Sequence, residues 1–219
     1  MQKDIWDFVI VGAGMAGASA AWQLAQSGGE NPPSVLVLER ESQPGYHTTG
    51  RSAALFEEHY GPAQVQALTR ASRAFYDAPP AGFAEAPILT PRGVLYVGTA
   101  DQRDLVDAAY AEAQVHSPDA QRLSAAQLKT LVPVLDTEVL VDGFLDTGAR
   151  DIDVHGLHQG YIRGLRQREM LAYALEAMPT PPETPTPETW LVYAEALEHC
   201  WKRHKIRNGV LTETDGEQG

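Results

Sequence analysis

Apolar residues with a β-forming bias fill Ile5 to Val11 (IWDFVIV) and, after a gap, Ser34 to Leu38 (SVLVL). Short runs of this kind, bounded by glycine and proline, predict buried strands. Between them, Met15 to Ser27 sets Ala16, Ala20 and Leu24 at helical spacing and ends in Ser27-Gly28-Gly29. That pattern predicts a helix with a glycine stop. Strand, helix and strand in this order form the repeating unit of a parallel α/β sheet.

Further along, Ala63 to Asp77 carries Val65, Leu68, Ser72, Phe75 and Tyr76 on one side, and Pro79-Pro80 closes it. This is a second helix. Gly93 to Val97 (GVLYV) reads as a strand, Asp101 to Gln114 as a helix, and SAAQLKTLVP as a short helix from Ser124. Val139 to Leu145 reads as extended. Asp153 is placed to cap a helix from Val154 whose stripe is Val154, Leu157, Tyr161 and Leu165. Gly156, Gly160 and Gly164 recur every fourth residue there, a groove expected to pack closely against the sheet. REMLAYALEAM would lengthen this helix.

The last stretch has a different texture. Five prolines between Pro179 and Pro187 predict a stiff, extended spacer. Residues 187–206 then read as an amphipathic helix with Trp190, Tyr193, Leu197, Cys200 and Trp201 as its stripe, stopped by Asn208-Gly209. Lys202, Arg203, His204 and Lys205 would complement its C-terminal dipole. Such a face needs an apolar partner, either the sheet or another protein chain. The polar, acidic end after it reads as disordered.

Chemistry enters at the first turn. Gly12, Gly14 and Gly17 form a GxGxxG between strand and helix. In a dinucleotide-binding βαβ unit the first glycine permits a tight turn and the second a close approach of pyrophosphate. The third lets helix and strand pack closely. The second strand ends in Glu39, the acidic residue suited to ribose hydroxyls. Glu39 lies 27 residues beyond Gly12, and the extra GGENPP turn accounts for a gap longer than the usual ~20. The spacing does not separate NAD from FAD.

Charge narrows the partners. A formal charge of −12 argues against a nucleic-acid surface and against adhesion to anionic membranes. The single cysteine, Cys200, excludes an internal disulfide framework, and no run approaches the ~20 apolar residues of a membrane span. Asp4 and Asp7 beside Lys3 do not fit a signal peptide. A cytoplasmic protein is expected. No metal site is read: His155 and His158, three apart, lack a third ligand and suit a polar face. His199, Cys200 and His204 cannot converge from one helix.

ERESQPGYHTTGRSAALF, YGPAQVQALTRASRAFYDAPPAGF, LTPRGVLYVG and DTGARDIDVHGLHQGYIRGLR occur in the order found in FAD-dependent oxidoreductases of the D-amino-acid oxidase type. They particularly resemble bacterial D-arginine dehydrogenases, over about residues 1–168. The resemblance implies FAD as cofactor. It sets Ala16 by the pyrophosphate and Glu39 with Arg40 around the adenosine ribose. It lays Thr48, Thr49, Gly50, Arg51, Ser52, Ala53, Ala54 and Leu55 along the flavin. Read alone, Thr48, Thr49 and Ser52 better suit an ordinary polar loop with an N-cap. Tyr60 corresponds to a residue lining the substrate pocket, and read alone suits an aromatic plug. Val94 stands near the place of an acidic residue that would suit a cationic substrate tail.

The fold class expected is α/β, a Rossmann-like FAD-binding βαβ unit with the start of an α+β substrate domain, truncated relative to the family, plus a helical tail. An incomplete FAD-binding domain would occupy 1–88 and 149–168, and a partial substrate domain 89–148. Residues 169–219 would supply helix, spacer, amphipathic helix and a disordered end. The activity implied is oxidation of a D-amino acid or related amine by hydride transfer to flavin. The alternative is a catalytically incomplete FAD- or ADP-binding fragment, or a subunit that needs a partner chain docked on helix 187–206. The residues name no catalytic base.

Overall fold

The computed structural model describes residues 6–173, 186, 204–207 and 210–213. The chain begins with β1 (Phe8–Val11), α1 (Met15–Leu24) and β2 (Val35–Glu39). Next come β3 (Leu55–Phe56), α2 (Ala63–Asp77), β4 (Leu89–Pro91), β5 (Val94–Gly98) and α3 (Arg103–His116). They are followed by β6 (Gln121–Ser124), α4 (Ala125–Leu131), β7 (Asp142–Asp146), β8 (Arg150–Ile152) and α5 (Val154–Gln167). The remaining strands are β9 (Leu171–Tyr173), β10 (His204–Arg207) and β11 (Val210–Glu213). The chain divides into two compact units, one from residues 1–52 with 157–219, the other from 53–156.

The first unit carries a five-stranded sheet in the order β1-β2-β9-β11-β10. β1, β2, β9 and β11 run parallel, and β10 is antiparallel to β11. All five residues of β2 are buried, as expected of a strand with a neighbour on each side. β1 departs from the buried strand its composition predicts. It pairs with β2 alone among the described residues, and Phe8, Val9 and Val11 are 43–49% exposed. α1 packs on β1 and β2 through Ala18 and Ala21, both fully buried.

α5 starts as its sequence predicts, with the Gly156 N–H donating to the capping Asp153 carboxylate at 2.8 Å. At Gly164 the helix meets a side chain of α1: a Cβ there would lie 2.7 Å from the Trp22 indole. The helix does not continue into REMLAY, and the rest of REMLAYALEAM lies outside the described residues. It ends at Gln167, the backbone turns at Glu169 (φ 56°), and Met170 is buried. The Val37 N–H then donates to Met170 O at 2.7 Å, and β9 pairs in parallel with β2. A helix-prone sequence becomes a strand because the open side of β2 offers a ladder of backbone partners.

The tail differs from expectation in the same direction. His204 and Lys205 lie in β10, so a helix through residue 206 does not form there, and Val210–Glu213, read as disordered, forms β11. Arg207 faces Val210 across the pair. Asn208-Gly209 between them is the sequence signature of a two-residue hairpin, which competes with its reading as a helix stop. The proline-rich spacer and the Trp190–Trp201 stripe lie outside the described residues, apart from Thr186.

The second unit is antiparallel, with sheets β3-β8-β4 and β5-β7-β6. α3 begins after a 3-10 turn at Ala100–Gln102, and α4 after a capping box in which Ser124 and Gln127 satisfy each other's backbone. Val106, Ala113, Ala120 and Phe144 form its core, with Tyr96 stacked on Phe144 at 4.6 Å. Burial, and then the Glu57 carboxylate that the Tyr96 hydroxyl donates to, push that hydroxyl well above its ordinary pKa.

Candidate functional site

The glycine turn of the first unit needs its glycines for different reasons, backbone conformation at Gly12 and close contact at Gly17. Gly12 adopts φ +91°, and its N–H donates to Leu38 O at 2.7 Å, tying the turn to the end of β2. A Cβ on Gly17 would lie 2.0 Å from Gly12 O, so α1 crosses the turn at backbone contact. Gly14 is the N-cap of α1 and has no capping side chain of its own. Thr49, thirty-four residues on, supplies the acceptor: the Met15 N–H donates to its Oγ1 at 2.9 Å. The other first-turn N–H groups of α1 have no acceptor within the helix, which is the usual ground for anion binding there. Ala16 in that turn is exposed.

Glu39 closes the other side. It is 7% exposed, and its two carboxylate oxygens accept from the Ala13 N–H and the Glu41 N–H, each at 2.9 Å. The carboxylate therefore stands against the glycine turn, held by backbone, with lone pairs to spare. Arg40 is half-buried and pairs with Glu41 at 3.3 Å, and His47 meets the same Glu41 oxygen at 2.9 Å. The hydrogen bond from His47 holds the Glu41 carboxyl below its ordinary pKa, with Arg40 assisting.

Sequence reasoning missed one member. His158, read as part of a polar face with His155, is 3% exposed. Its Nε2 lies 2.7 Å from Ala13 O, so it carries the proton and donates to the glycine turn. Gly45, at φ +80°, makes room for the ring: a Cβ there would lie 2.8 Å from His158 Cε1. His155 is exposed. The contact joins residues 145 apart in the chain, and no local pattern announces it.

The remaining sequence-predicted residues fall in both units. Thr48, Thr49, Gly50 and Arg51 form a 3-10 turn, with Ser52 as its C-cap, in the first unit. Thr48, Gly50, Arg51 and Ser52 are exposed and Thr49 is half-buried against α1. Ala53, Ala54 and Leu55 begin the second unit, where Ala54 takes φ +60° and Leu55 enters β3. Tyr60, in the second unit, is 69% exposed, which does not suit an aromatic plug.

The family model for FAD-dependent oxidoreductases matches residues 7–174. The chain belongs to this family. The match takes in β9, beyond the limit near residue 168 that the sequence suggested. FAD is the cofactor of the FAD-dependent oxidoreductases, and the turn fits its pyrophosphate. A Cβ at Gly17 would lie 2.0 Å from Gly12 O and push α1 off the turn, and one at Gly14 would crowd Thr49 Oγ1 at 3.2 Å, so both positions keep the start of α1 close to the turn.

Solved structures agree on the fold. The glycine oxidase of Geobacillus kaustophilus superposes with a TM-score of 0.62 at 18% identity, over 78% of this chain and 46% of that one. An amino acid oxidase essential for nikkomycin biosynthesis gives 0.61 at 22% identity, over 81% and 46%. The L-α-glycerophosphate oxidase of Mycoplasma pneumoniae, solved with FAD bound, gives 0.58 at 19%, over 74% and 42%. The chain thus spans less than half the length of these similar structures. No helix among the described residues is long and apolar enough to cross a membrane.

Proposed function

We propose that this chain binds FAD through the glycine turn of its first unit and serves the oxidation of a D-amino acid or related amine. The observation that carries the reading is the backbone contact of Gly17 with Gly12 O, flanked by Glu39 on one side and Thr49 on the other. In this assignment the first turn of α1, at Ala16, faces the pyrophosphate, and the helix dipole favours its charge. Glu39 accepts hydrogen bonds from the adenosine ribose, with Arg40 beside it. Thr48 to Leu55 line the flavin, their hydroxyl and backbone groups as donors and Arg51 as the cation. FAD supplies the acceptor for a hydride leaving the substrate α-carbon. Tyr60, exposed at the surface of the second unit, is assigned to the substrate. With Val94 in place of an acidic residue, a preference for arginine or lysine is not part of the proposal. The glycine oxidase and amino acid oxidase among the similar structures favour an amine substrate over an alcohol.

A second reading has its own support. β1 pairs with β2 alone among the described residues and presents an apolar edge. Under this reading the chain holds FAD but turns over only with a second polypeptide. One experiment separates the readings: the visible spectrum of the desalted chain, then anaerobic addition of mixed D-amino acids. Bound flavin that bleaches supports stand-alone amine oxidation. Bound flavin that stays yellow supports the second reading. A colourless chain that takes up no added FAD overturns both.

A further inference from the structure

Away from the glycine turn, the second unit buries a cluster that the oxidoreductase reading leaves unused. Glu57, His59 and Asp146 are 5%, 8% and 1% exposed. His59 Nε2 lies 3.1 Å from Glu57 Oε1 and 2.9 Å from Asp146 Oδ2, and the three ligand atoms all fall within 4.8 Å of one another. Glu57 and His59 follow the short strand β3, whereas Asp146 ends β7, so two distant segments of the chain converge on one point.

The charge of this cluster does not balance. Two carboxylates share one imidazole nitrogen, which can offer a single proton between them. Among the described residues neither carboxylate forms an ion pair with a lysine or arginine. Even a protonated His59 leaves one buried negative charge over, a costly arrangement unless a cation completes it.

We propose that Glu57, His59 and Asp146 form a binding site for a divalent transition-metal ion of the Zn²⁺ class. One imidazole and two carboxylates suit Zn²⁺, Co²⁺ or Mn²⁺, whereas Mg²⁺ and Ca²⁺ favour all-oxygen sets. Ligands about 2.1 Å from a tetrahedral ion stand about 3.4 Å apart, so the pairs at 2.9 and 3.1 Å open by about 0.3–0.5 Å to admit it. The outer groups are close by. The Tyr96 hydroxyl donates to Glu57 Oε1 beside His59, and would move to the other carboxylate oxygen on metal binding, while the Gly148 N–H donates to Asp146 Oδ1 at 2.7 Å and Oδ2 faces His59. A pocket of about 230 Å³, lined by Ser117, Thr147 and Gly148, abuts the cluster on its Asp146 side. The site lies within one unit and does not depend on the FAD reading.

The test is a titration of the chelator-treated full-length chain with Co²⁺. One ion per chain is expected, with the visible d–d bands of a low-coordinate site and displacement by Zn²⁺. His59→Gln and Asp146→Asn should each weaken binding at least tenfold, while His47→Ala at the exposed Glu41 pair should not. X-ray absorption on the wild-type Co²⁺ protein, which needs no variant to fold, should show one imidazole and otherwise oxygen ligands. Absence of one-to-one binding at millimolar Co²⁺ would overturn the proposal. So would affinity unchanged in both ligand variants, or a shell with no imidazole or several.

Discussion

Replacing His158 tests whether a buried side chain, rather than the glycines alone, holds the glycine turn in shape. The ring is 3% exposed and donates to Ala13 O at 2.7 Å. His158→Leu keeps similar bulk but removes the donor, stranding a buried carbonyl at a cost of about 1–3 kcal/mol. His158→Ala adds the loss of ring packing between Gly45 and the turn, worth about 2 kcal/mol more by comparison with large-to-small core substitutions. The expected order of stability is wild type, then Leu, then Ala, with a total loss of about 3–5 kcal/mol for Ala. At a urea m-value of about 1–3 kcal/mol/M, that moves the midpoint down by about 1 M or more. The assay is a urea titration followed by circular dichroism, together with amide exchange in α1. Faster exchange at Gly14 to Gly17 in the Leu variant would show the loss reaching the turn. If the Leu variant unfolds within about 0.5 kcal/mol of wild type, a size too small for a stranded carbonyl, the reasoning is wrong.

Gly17→Ala brings a methyl group to 2.0 Å from Gly12 O, so α1 must move outward by more than an ångström. A loss of about 2–3 kcal/mol in thermal or urea unfolding is expected, with FAD affinity reduced as well. Glu169 sits at φ +56° just beyond α5, where glycine carries no Cβ penalty. Glu169→Gly should therefore raise stability by about 0.5–1 kcal/mol, read from the same unfolding curves. The Arg122 guanidinium hydrogen-bonds the Asp142 carboxyl and holds it below its ordinary pKa of 3.8. A carboxyl lowered by folding adds stability that is present above its unfolded pKa and lost as pH falls through the lower folded value. Asp142→Asn should consequently flatten the fall in stability below about pH 4, an effect of about 1 kcal/mol at most for so partly exposed a pair.

What the sequence revealed and what it hid divide along range. The GxGxxG turn, the capped start of α5 at Asp153 and the helix from Ala63 to Asp77 are local, each decided by residues a few positions apart. Leu171–Tyr173 misleads because alanine and leucine favour helix until the open side of β2 competes for their backbone. Asn208-Gly209 reads two ways because a helix stop and a hairpin turn favour the same dipeptide, and the pairing of Arg207 with Val210 suits the second. The contact between His158 and Ala13, and the meeting of Glu57 and His59 with Asp146, span 145 and as many as 89 residues. Side chains of ordinary type at ordinary spacing give no sign of such meetings until the strands that carry them are paired.

The order of the two units along the chain has a consequence for synthesis. The sheet of the first unit opens with β1 and β2 but cannot bury β2 until Leu171 reaches Val37, 134 residues later. Everything from Ala53 to Gly156 emerges from the ribosome in between, as one uninterrupted unit free to fold first. Its own pairing sets Leu55 opposite Asp151, bringing its entry and exit side by side. The gap left to close then shrinks to the two short connections on either side, about a quarter of its former length. At about 0.6 kcal/mol per halving, that saves about 1 kcal/mol of chain entropy, roughly a fivefold gain in the rate of closure. The inserted unit thus acts as a splint for the one that surrounds it, and a lesion that slows its folding should delay maturation of the five-stranded sheet without touching it.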